Sequence, residues 1–589
     1  MIADVERPIK KGDYPSLWGS DVIADMLRGI GMKYIALVPG ASFRGLHDSL
    51  VNHLGNDDPR TLLCLHEEHS VAIAHGYAKI TGEPMAAVLH SNVGLMNASM
   101  AVFNAWCDRV PILLLGATGP VDAAERRPWI DWLHTCRDQG SLIRPFIKWD
   151  DQPASIGAAV EAILRANLLT RTAPHGPVYV NFDVSLQETE LTSTPEPPDF
   201  ARFLPPAPAV PGPRSVAEVV DLLRNAGSVV ILAGRVSRSP DDWALRVAIA
   251  ETIGARVLTD IKVGAAFPTD HPLHCGRPSF FLDENGAEAL RGADVILSLD
   301  WLDLAGTLSQ AGKVNGKVVQ ISMDYQLHTG WGMEHQALPK VDLHLPVDPD
   351  VAMRAMADAM GIEPGSPPAD EPLRAVVTID ERDAEIGLSG LAAAVGEGLR
   401  DQVVSLVRLP IGWQGNALHF RHPLDFLGYD GGGGVGSGPG MLIGAALALQ
   451  GSSRLAVAVL GDGDFMMSNS ALWTAARYKI PLVAIISNNR SFYNDEIHQE
   501  RVAIRRGRPV ENKWIGQHIG GPDIDLAAIA EAQGATGIGP VKTVGELSDA
   551  VAKAVELARE GRVVVIDARV SPGYDPETAR KLGAFPSKL

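Results

Sequence analysis

Cysteine is scarce in this chain, and the few that occur lie far apart. The 589 residues include only four cysteines, and no two of them form a Cys-x-x-Cys pair or show zinc-site spacing. We therefore expect buried free thiols in a reducing compartment, not a disulfide framework or a thiolate metal centre. The cysteines are Cys64, Cys107, Cys136 and Cys275.

Long apolar runs and a hydrophobic leader are also lacking. No apolar stretch approaches the roughly 20 residues of a membrane-spanning helix. Residues 1–16 contain no apolar core segment. The sequence thus predicts no membrane partner and no signal peptide, which favours a cytoplasmic protein.

Positive charge is in deficit. Lysine and arginine number 52 against 70 acidic residues, so the formal net charge is −18. This excess of negative charge argues against nucleic acid or an anionic membrane as the main partner. A composition of 46% hydrophobic and 21% charged residues is typical of a folded globular protein.

Two proline-rich stretches, 192–213 and 362–373, divide the chain. The resulting pieces, 1–191, 214–361 and 374–589, each alternate apolar strands with helical segments. This alternation predicts three consecutive α/β domains with parallel sheets. In the middle piece, two apolar runs predict buried strands, at Val229–Ala233 and Val295–Leu299.

The most informative segment is a strand–helix–strand unit in the last piece. The apolar run Leu455–Leu460 ends at Gly461-Asp462-Gly463, a helical segment covers 469–479, and the strand Leu482–Ile486 leads to Asn488-Asn489. Open α/β sheets bind ligands at the carboxyl ends of neighbouring strands. Aspartate and asparagine supply hard oxygen ligands, which suit Mg²⁺ held with phosphate and water. The alternative for the glycine–aspartate triplet alone is an ordinary turn.

The spacing from Asp462 to Asn489 resembles the cofactor-binding motif of the thiamine-diphosphate (ThDP) enzymes. The resemblance implies that Asp462, Asn489 and the carbonyl of Ser491 bind Mg²⁺, which bridges to the cofactor diphosphate. Gly463 and Asp464 would join the cofactor-binding residues. Over essentially the whole chain, the domain order is similar to that of the decarboxylase and acetohydroxyacid-synthase-like group. In that group the first domain binds the aminopyrimidine of the cofactor, the second is the central domain, and the third binds the diphosphate.

The segment Leu65-His66-Glu67-Glu68-His69 resembles the glutamate segment of the same family. Glu67 would then be catalytic and would share a proton with the aminopyrimidine ring of ThDP, so that the cofactor can be activated. Glu68 is expected to be structural. The alternative is a solvated acidic cluster at a helix start.

The glycine run at 431–436 matches GxGxxG, but no apolar strand precedes it, so we reject a dinucleotide site. No FAD signature is visible, and FAD is not expected. The run better resembles the family's turn beneath the cofactor. There Val435 would keep ThDP bent, and the carbonyl of Gly433 would accept a hydrogen bond from it. Pro439 is expected to open a helix. A flexible surface loop is the alternative.

The residues that face the substrate are less clearly marked. His90 ends a strand in a Leu-His-Ser sequence that resembles benzoylformate decarboxylases, where a histidine moves protons. The alternative is a buried structural histidine. At the position of that enzyme's substrate-binding serine, this chain has Ala41, and Ser42 follows.

After Asn489, the family's next helix lines the substrate pocket. Glu496 is the predicted acid–base residue there and Asp495 the second choice, against the alternative of an exposed acidic face. A basic run could hold the phosphates of a CoA-type substrate, although such runs are more often solvated. The C-terminal stretch 574–589 is either a lid or a packed tail. The basic run comprises Arg501, Arg505, Arg506 and Arg508.

The resemblance implies an enzyme that breaks or forms a C–C bond beside a carbonyl, with ThDP and Mg²⁺ as cofactors and a small molecule, acyl-CoA or 2-oxo acid, as substrate. The favoured reaction is that of a 2-hydroxyacyl-CoA lyase, which gives formyl-CoA and an aldehyde or ketone. The alternative is a 2-oxo-acid decarboxylase or carboligase. A non-catalytic relative is a third possibility, and the presence of Glu67 argues against it. The family also implies a homodimer or homotetramer with the active site at the subunit interface.

Overall fold

The structure is a computed structural model that describes residues 5–9, 14–324, 337–574 and 579–580. The predicted fold class is confirmed, because three parallel sheets with accompanying helices follow one another along the chain. No helix in these ranges combines the length and the apolar character needed to cross a membrane.

The first sheet uses strands from the N-terminal part of the chain. They are β1 (Tyr34–Leu37), β2 (Arg60–Leu63), β3 (Met85–Leu89), β4 (Ile112–Thr118), β5 (Asp150–Asp151) and β6 (Val178–Asp183). The α-helices here are α1 (Gly19–Gly29), α2 (Arg44–Asp48), α3 (Glu67–Thr81), α4 (Ser91–Cys107), α5 (Ile130–Leu133), α6 (Ile156–Arg171) and α7 (Val184–Gln187). The strand order is β2-β1-β3-β4-β6-β5, with parallel pairing throughout. Alternate strand residues enter two separate apolar clusters, so both faces of the sheet are covered.

The second sheet has the order β11-β10-β9-β7-β8 and is also parallel. Its strands are β7 (Val229–Ala233), β8 (Arg256–Leu258), β9 (Val295–Leu299), β10 (Lys317–Ile321) and β11 (Leu343–Leu345). The α-helices are α8 (Pro213–Asn225), α9 (Pro240–Ile253), α10 (Glu284–Arg291), α11 (Leu304–Ala311) and α12 (Pro349–Met360). Both strands predicted in this part of the sequence are confirmed, since β7 and β9 have the predicted bounds.

The third sheet holds the strand–helix–strand unit of the sequence and has the order β13-β15-β16-β18-β17. The strands in this part are β12 (Arg374–Ala375), β13 (Val404–Arg408), β14 (Leu418–His419), β15 (Leu455–Gly461), β16 (Leu482–Asn488), β17 (Thr536–Val541) and β18 (Val563–Arg569). The helices are α13 (Leu388–Gly398), α14 (Gly438–Ala448), α15 (Asp462–Ser468), α16 (Ala471–Tyr478), α17 (Tyr493–Arg506), α18 (Leu526–Glu531) and α19 (Val544–Arg559). Strands β12 and β14 form a small antiparallel pair that was not predicted.

Two details of the predicted unit need correction. The helical segment expected at 469–479 is α16, but a further helix, α15, starts at Asp462 itself. The strand expected to end at Ile486 continues to Asn488, because it pairs with β18 along its whole length. Pro439 lies in the first turn of α14, as predicted.

The thiols also differ in part from the prediction. Cys64 and Cys107 are buried free thiols, whereas Cys136 and Cys275 are half-buried.

Helices α3 and α14 pack closely and join the first and third sheets into one apolar core. Glycines make this approach possible. A Cβ atom added to Gly76 would lie 2.0 Å from the carbonyl oxygen of Met441, and one added to Gly444 would lie 1.9 Å from that of Ile73. The two helices therefore contact each other through their backbones.

Candidate active site

Asp462 and Asn489 follow neighbouring strands at the same edge of the third sheet. Gly461 of β15 lies opposite Ser487 of β16 in the parallel register. Asp462 is buried, and its Oδ1 accepts a hydrogen bond of 2.8 Å from the N–H of Gly463. Burial raises the pKa of the Asp462 carboxyl to about 6, against the lowering effect of backbone N–H groups around it. Its Oδ2 is buried and has no hydrogen-bond partner among the described residues.

The loop after β16 is held in a tight conformation. The Oδ1 of Asn489 accepts a hydrogen bond of 2.9 Å from the N–H of Ser491, and Arg490 between them has a positive φ of 57°. The hydroxyl of Ser491 donates to the buried carboxylate of Glu496 in the first turn of α17. Glu496 thus lies against this loop, whereas Asp495 is exposed.

These groups fit a divalent cation with a diphosphate. The partnerless Oδ2 of Asp462 is an orphaned buried oxygen, and amide and carbonyl oxygens of the Asn489 loop are the hard donors that Mg²⁺ accepts. There is room beside them, since no atom lies within 4 Å of a Cβ added to Gly461. Gly463 is required for a different reason, because a Cβ there would lie 2.6 Å from the ring of Phe492.

The glycine run at 431–436 forms a turn that is hydrogen-bonded to Asp464. The Oδ1 of Asp464 accepts a hydrogen bond of 2.6 Å from the N–H of Gly436. Gly433 and Gly436 have φ values of 73° and 113°, which favour glycine. Val435 between them is 45% exposed. The run is therefore an ordered turn that packs on α4, where Asn104 donates to the carbonyl of Gly434 at 3.2 Å.

A buried charged cluster lies behind this turn. Arg408 lies 2.7 Å from Asp430 and 3.5 Å from Asp464. Ser437 donates to Glu68 at 2.7 Å, so Glu68 of the first domain contacts the third. Burial raises the pKa of Glu68 to about 7, and the nearby carboxylates of Asp464 and Asp430 add to that rise.

Glu67 is the first residue of α3 and is buried, with 7% of its surface exposed. Its Oε2 accepts a hydrogen bond of 3.0 Å from Asn97 of α4. Gly94 of the same helix faces it, and a Cβ there would lie 3.1 Å from its Oε1. Glu67 therefore points between α3 and α4 and is not part of a solvated acidic surface.

His90 lies beside Glu67 and has two polar neighbours that the sequence did not predict. The hydroxyl of Ser42 lies 2.9 Å from Nδ1 of His90. The ring of His134 packs edge-to-face on that of His90, with centroids 4.7 Å apart. Burial lowers the pKa of His90, as does His134, whereas Glu67 opposes the shift. The chain has Ala41 at the position expected for a substrate-binding serine. The site nevertheless contains a serine, because Ser42 lies next to His90.

These four polar residues follow four adjacent strands. Ser42 follows β1, Glu67 follows β2, His90 follows β3, and His134 lies in the segment after β4. The sheet order places these strands side by side, and parallel pairing places their carboxyl ends at one edge. Only the order of the strands in the sheet brings His134 to this group, and no motif in the sequence marked it.

The basic run begins in the second half of α17 and continues just beyond its end. Arg501 donates to the carbonyl oxygens of Ala579 and Arg580, at 2.8 Å and 2.6 Å. Most of the predicted lid or tail at 574–589 lies outside the described residues, but Tyr574 packs edge-to-face on Tyr493 of α17. The remaining arginines of the run are exposed: Arg505, Arg506 and Arg508.

Three family descriptions match successive parts of this chain. "Thiamine pyrophosphate enzyme, N-terminal TPP binding domain" matches residues 17–142, the corresponding "central domain" matches 216–329, and the "C-terminal TPP binding domain" matches 411–568. The chain belongs to the thiamine pyrophosphate enzyme family. The matched parts contain Glu67 and the Asp462–Asn489 unit, so both halves of the candidate site lie in ThDP-binding domains.

Curated relatives and solved structures agree with this family. The chain is 25% identical to benzoylformate decarboxylase of Pseudomonas aeruginosa, over 74% of this chain and 80% of the relative. It is 23% identical to acetolactate synthase of Bacillus subtilis, over 93% and 92%. Benzoylformate decarboxylase from Polynucleobacter necessarius has a TM-score of 0.77 at 20% identity, and covers 95% of this chain and 100% of its own. The 4-hydroxybenzoylformate decarboxylase of Rhodococcus jostii has a TM-score of 0.75 at 22% identity, over 95% and 99%.

The family membership confirms the enzyme class predicted from the sequence. The chain is an enzyme of the ThDP-dependent decarboxylase and carboligase family, which makes or breaks carbon–carbon bonds. The predicted domain boundaries, site residues, metal and subunit arrangement remain proposals.

Proposed function

We propose that this ThDP enzyme decarboxylates a small 2-oxo acid. The observation that carries the proposal is the pairing of His90 with Ser42 beside Glu67, at 2.9 Å between hydroxyl and Nδ1. An imidazole of lowered pKa is neutral near pH 7 and can accept or return a proton at a substrate. The relatives named for benzoylformate decarboxylation support the same substrate class.

Asp462, Asn489 and the carbonyl of Ser491 are proposed to hold Mg²⁺, and the Gly433–Gly436 turn to hold ThDP. When bound, the cofactor supplies the electron sink for breaking a bond beside a carbonyl. Gly463 contributes to this site by packing against Phe492, and Asp464 by accepting a hydrogen bond from the turn at Gly436. Glu67, buried at the start of α3, is proposed to exchange a proton with a ring nitrogen of the cofactor.

The net reaction consumes one proton. A 2-oxo acid anion and a proton give an aldehyde and carbon dioxide, so the site must deliver a proton to the carbon that loses its carboxylate. His90 is proposed to start neutral, to take up a proton from water at Nε2 and to pass it to that carbon, since Ser42 occupies Nδ1 and leaves Nε2 for the substrate. Glu496 is proposed as a second proton carrier, because it is buried in the first turn of α17 and bonded to Ser491.

A 2-hydroxyacyl-CoA lyase is the second candidate. The exposed arginines at the end of α17 favour it, since guanidinium groups bind phosphates. The engagement of Arg501 by backbone carbonyls weakens it. We therefore propose the decarboxylase as the first candidate. In its carboligase variant, a second carbonyl compound instead of a proton adds to the carbon that loses its carboxylate.

The test is a substrate panel with defined products. The protein is incubated with ThDP, Mg²⁺ and either aromatic, aliphatic and basic 2-oxo acids or 2-hydroxyacyl-CoA thioesters, and products are identified by mass spectrometry. We expect carbon dioxide and the matching aldehyde, or a ligated hydroxyketone, from at least one 2-oxo acid. Formyl-CoA from a thioester, with no carbon dioxide from any 2-oxo acid, would contradict the proposal. Glu67→Gln protein serves as the inactive control.

We further propose three domains at 1–191, 214–361 and 374–589, and a homodimer or homotetramer with the active site at the subunit interface. Exposed apolar side chains around the site support an interface, because large exposed patches of this kind usually bind a partner. Sedimentation of an active monomer would contradict it. Mixing Glu67→Gln subunits with Asp462→Ala subunits should restore some activity if each site uses both chains. The exposed side chains are Val93, Met96, Met100, Val435 and Met467.

A further inference from the structure

A second histidine contacts the proposed proton carrier. The rings of His90 and His134 meet at an interplanar angle of 78° with centroids 4.7 Å apart. On the other side of His90, the ring contacts the hydroxyl of Ser42 and lies edge-to-face with Phe43 at 6.4 Å. His90 is thus held between the segment after β1 and the segment after β4.

The position of His134 is fixed by the backbone around it. Its carbonyl accepts a hydrogen bond of 3.0 Å from the N–H of Gly119, directly after β4, and its N–H donates to the carbonyl of Ile130 at 3.1 Å. The buried Asp131 accepts hydrogen bonds from Arg127, both from its backbone N–H at 2.8 Å and from its guanidinium, at 2.7 Å for the shortest. These hydrogen bonds hold the turn that carries His134 against the end of β4.

We propose that His134 is a positioning residue for the decarboxylation, which packs against His90, fixes the plane of its ring together with Ser42, and prevents it from carrying a positive charge. This inference rests on the proposed function and deepens it. Two imidazolium rings in contact would repel each other, so the ring of His134 disfavours a positive charge on His90.

The charged groups around His90 agree with this proposal. Burial and His134 both lower the pKa of His90, and Glu67 at the start of α3 is the opposing charge. Ser42 and Phe43 contribute no charge from the β1 side. Removing His134 should therefore raise the pKa of His90. His90 must start neutral to take up the proton that it later delivers, so the loss of activity on the acid side should then occur at a higher pH.

The experiment compares His134→Phe, which keeps an aromatic ring, with His134→Ala and with Trp132→Phe as a control in the same turn. The side chain of Trp132 is 70% exposed. Two readouts are used on the full protein. One is the titration of His90 by carbon-13 NMR of labelled histidine, with His90→Gln to assign its signal. The other is the pH dependence of kcat/KM on the 2-oxo acid found by the panel.

We expect the His90 titration and the acid limb of kcat/KM to move upward by about half a pH unit or more in both His134 variants, since a charge at this distance shifts a pKa by that order. Trp132→Phe should titrate like the wild type. An unchanged His90 titration in His134→Phe would overturn the proposal. The NMR readout needs no substrate, so a failure of the proposed function leaves it intact. If the panel shows no 2-oxo-acid turnover while the titration still shifts, it is the function that is wrong.

Discussion

Gly76 of α3 lies directly against the carbonyl group of Met441 of α14, close enough that a Cβ on the glycine would be 2.0 Å from the oxygen. This contact joins the domain that carries Glu67 to the domain that carries Asp462. A methyl group at this point must push the two helices apart, and it would also disturb the core that they share.

Gly76→Ala should therefore destabilise the protein by about 1–3 kcal/mol or more, as overpacking in a rigid core does. Thermal unfolding by calorimetry should show a transition lowered by several degrees. Gly157→Ala is the matched control, because Gly157 is also helical but has no atom within 4 Å of an added Cβ. That variant should be neutral or stabilised by up to about 1 kcal/mol. Equal transition temperatures in the two variants would show that the helix contact does not depend on glycine.

Asp462→Ala should abolish measurable ThDP binding, and Asn489→Ala should weaken it. The aspartate provides the charged oxygen for the proposed metal, while the asparagine provides a neutral one and orders the loop through Ser491. Titration calorimetry with and without Mg²⁺ measures both effects. Asp495→Ala, in the same segment but exposed, is the control and should bind normally. Wild-type affinity in Asp462→Ala, or binding that a chelator leaves unaffected, would refute the assignment.

Glu67→Gln should bind ThDP but lose turnover. The amide preserves the shape of the buried side chain and its contact with Asn97, but it cannot exchange a proton with the cofactor ring. General acid–base steps contribute about 10²–10⁴ in rate, so kcat should fall by at least that range. Hydrogen–deuterium exchange at the reactive carbon of bound ThDP separates this step from later ones. Exchange at the wild-type rate in Glu67→Gln would mean that Glu67 has no part in activation.

His90→Ala and Glu496→Ala should act after cofactor activation. Both residues are proposed to carry protons at the substrate, so exchange at the cofactor carbon should stay near normal while kcat falls. Ser42→Ala should show a smaller loss, because it removes only the hydrogen bond of 2.9 Å that orients His90. Steady-state turnover on the identified substrate, set beside the exchange rate, tests all three variants. Unchanged turnover in His90→Ala would remove it from the site.

Glu68→Gln should stabilise the protein at alkaline pH. The pKa of Glu68 is raised from 4.5 to about 7, chiefly by burial. The protonated form is thus favoured in the folded state. Its contribution to stability is full at low pH and is lost as the pH rises through about 7, by up to about 1.4 kcal/mol for each pKa unit. The neutral amide avoids this loss and can still accept the hydrogen bond from Ser437.

The melting temperature of Glu68→Gln relative to the wild type should therefore be higher at about pH 8 than at about pH 5.5. Glu556→Gln, whose side chain is 66% exposed, is the control and should show the same difference at both pH values. If the melting-temperature difference between Glu68→Gln and the wild type does not vary with pH, the inferred burial of the Glu68 carboxylate between the first and third domains is wrong.

The amino-acid sequence alone determined the local part of this protein. Apolar runs predicted β7, β9 and β15 within a residue or two, because burial on both faces of a parallel sheet demands such runs. The βαβ spacing predicted that Asp462 and Asn489 leave adjacent strands, since a right-handed crossover returns the chain beside its start.

The tertiary structure decided what depends on the order of strands and on the packing of separate domains. Ser42 and His134 reach His90 only because β1, β3 and β4 are neighbours in the sheet, and their loops carry no periodic signal. Burial is the main cause of the raised pKa of Glu68, and the carboxylates of Asp464 and Asp430, far along the chain, add to it. Hydrophobic periodicity reports which face of one element is buried, whereas polar side chains at loop ends are brought together by contacts between elements, and those contacts exist only in the folded chain.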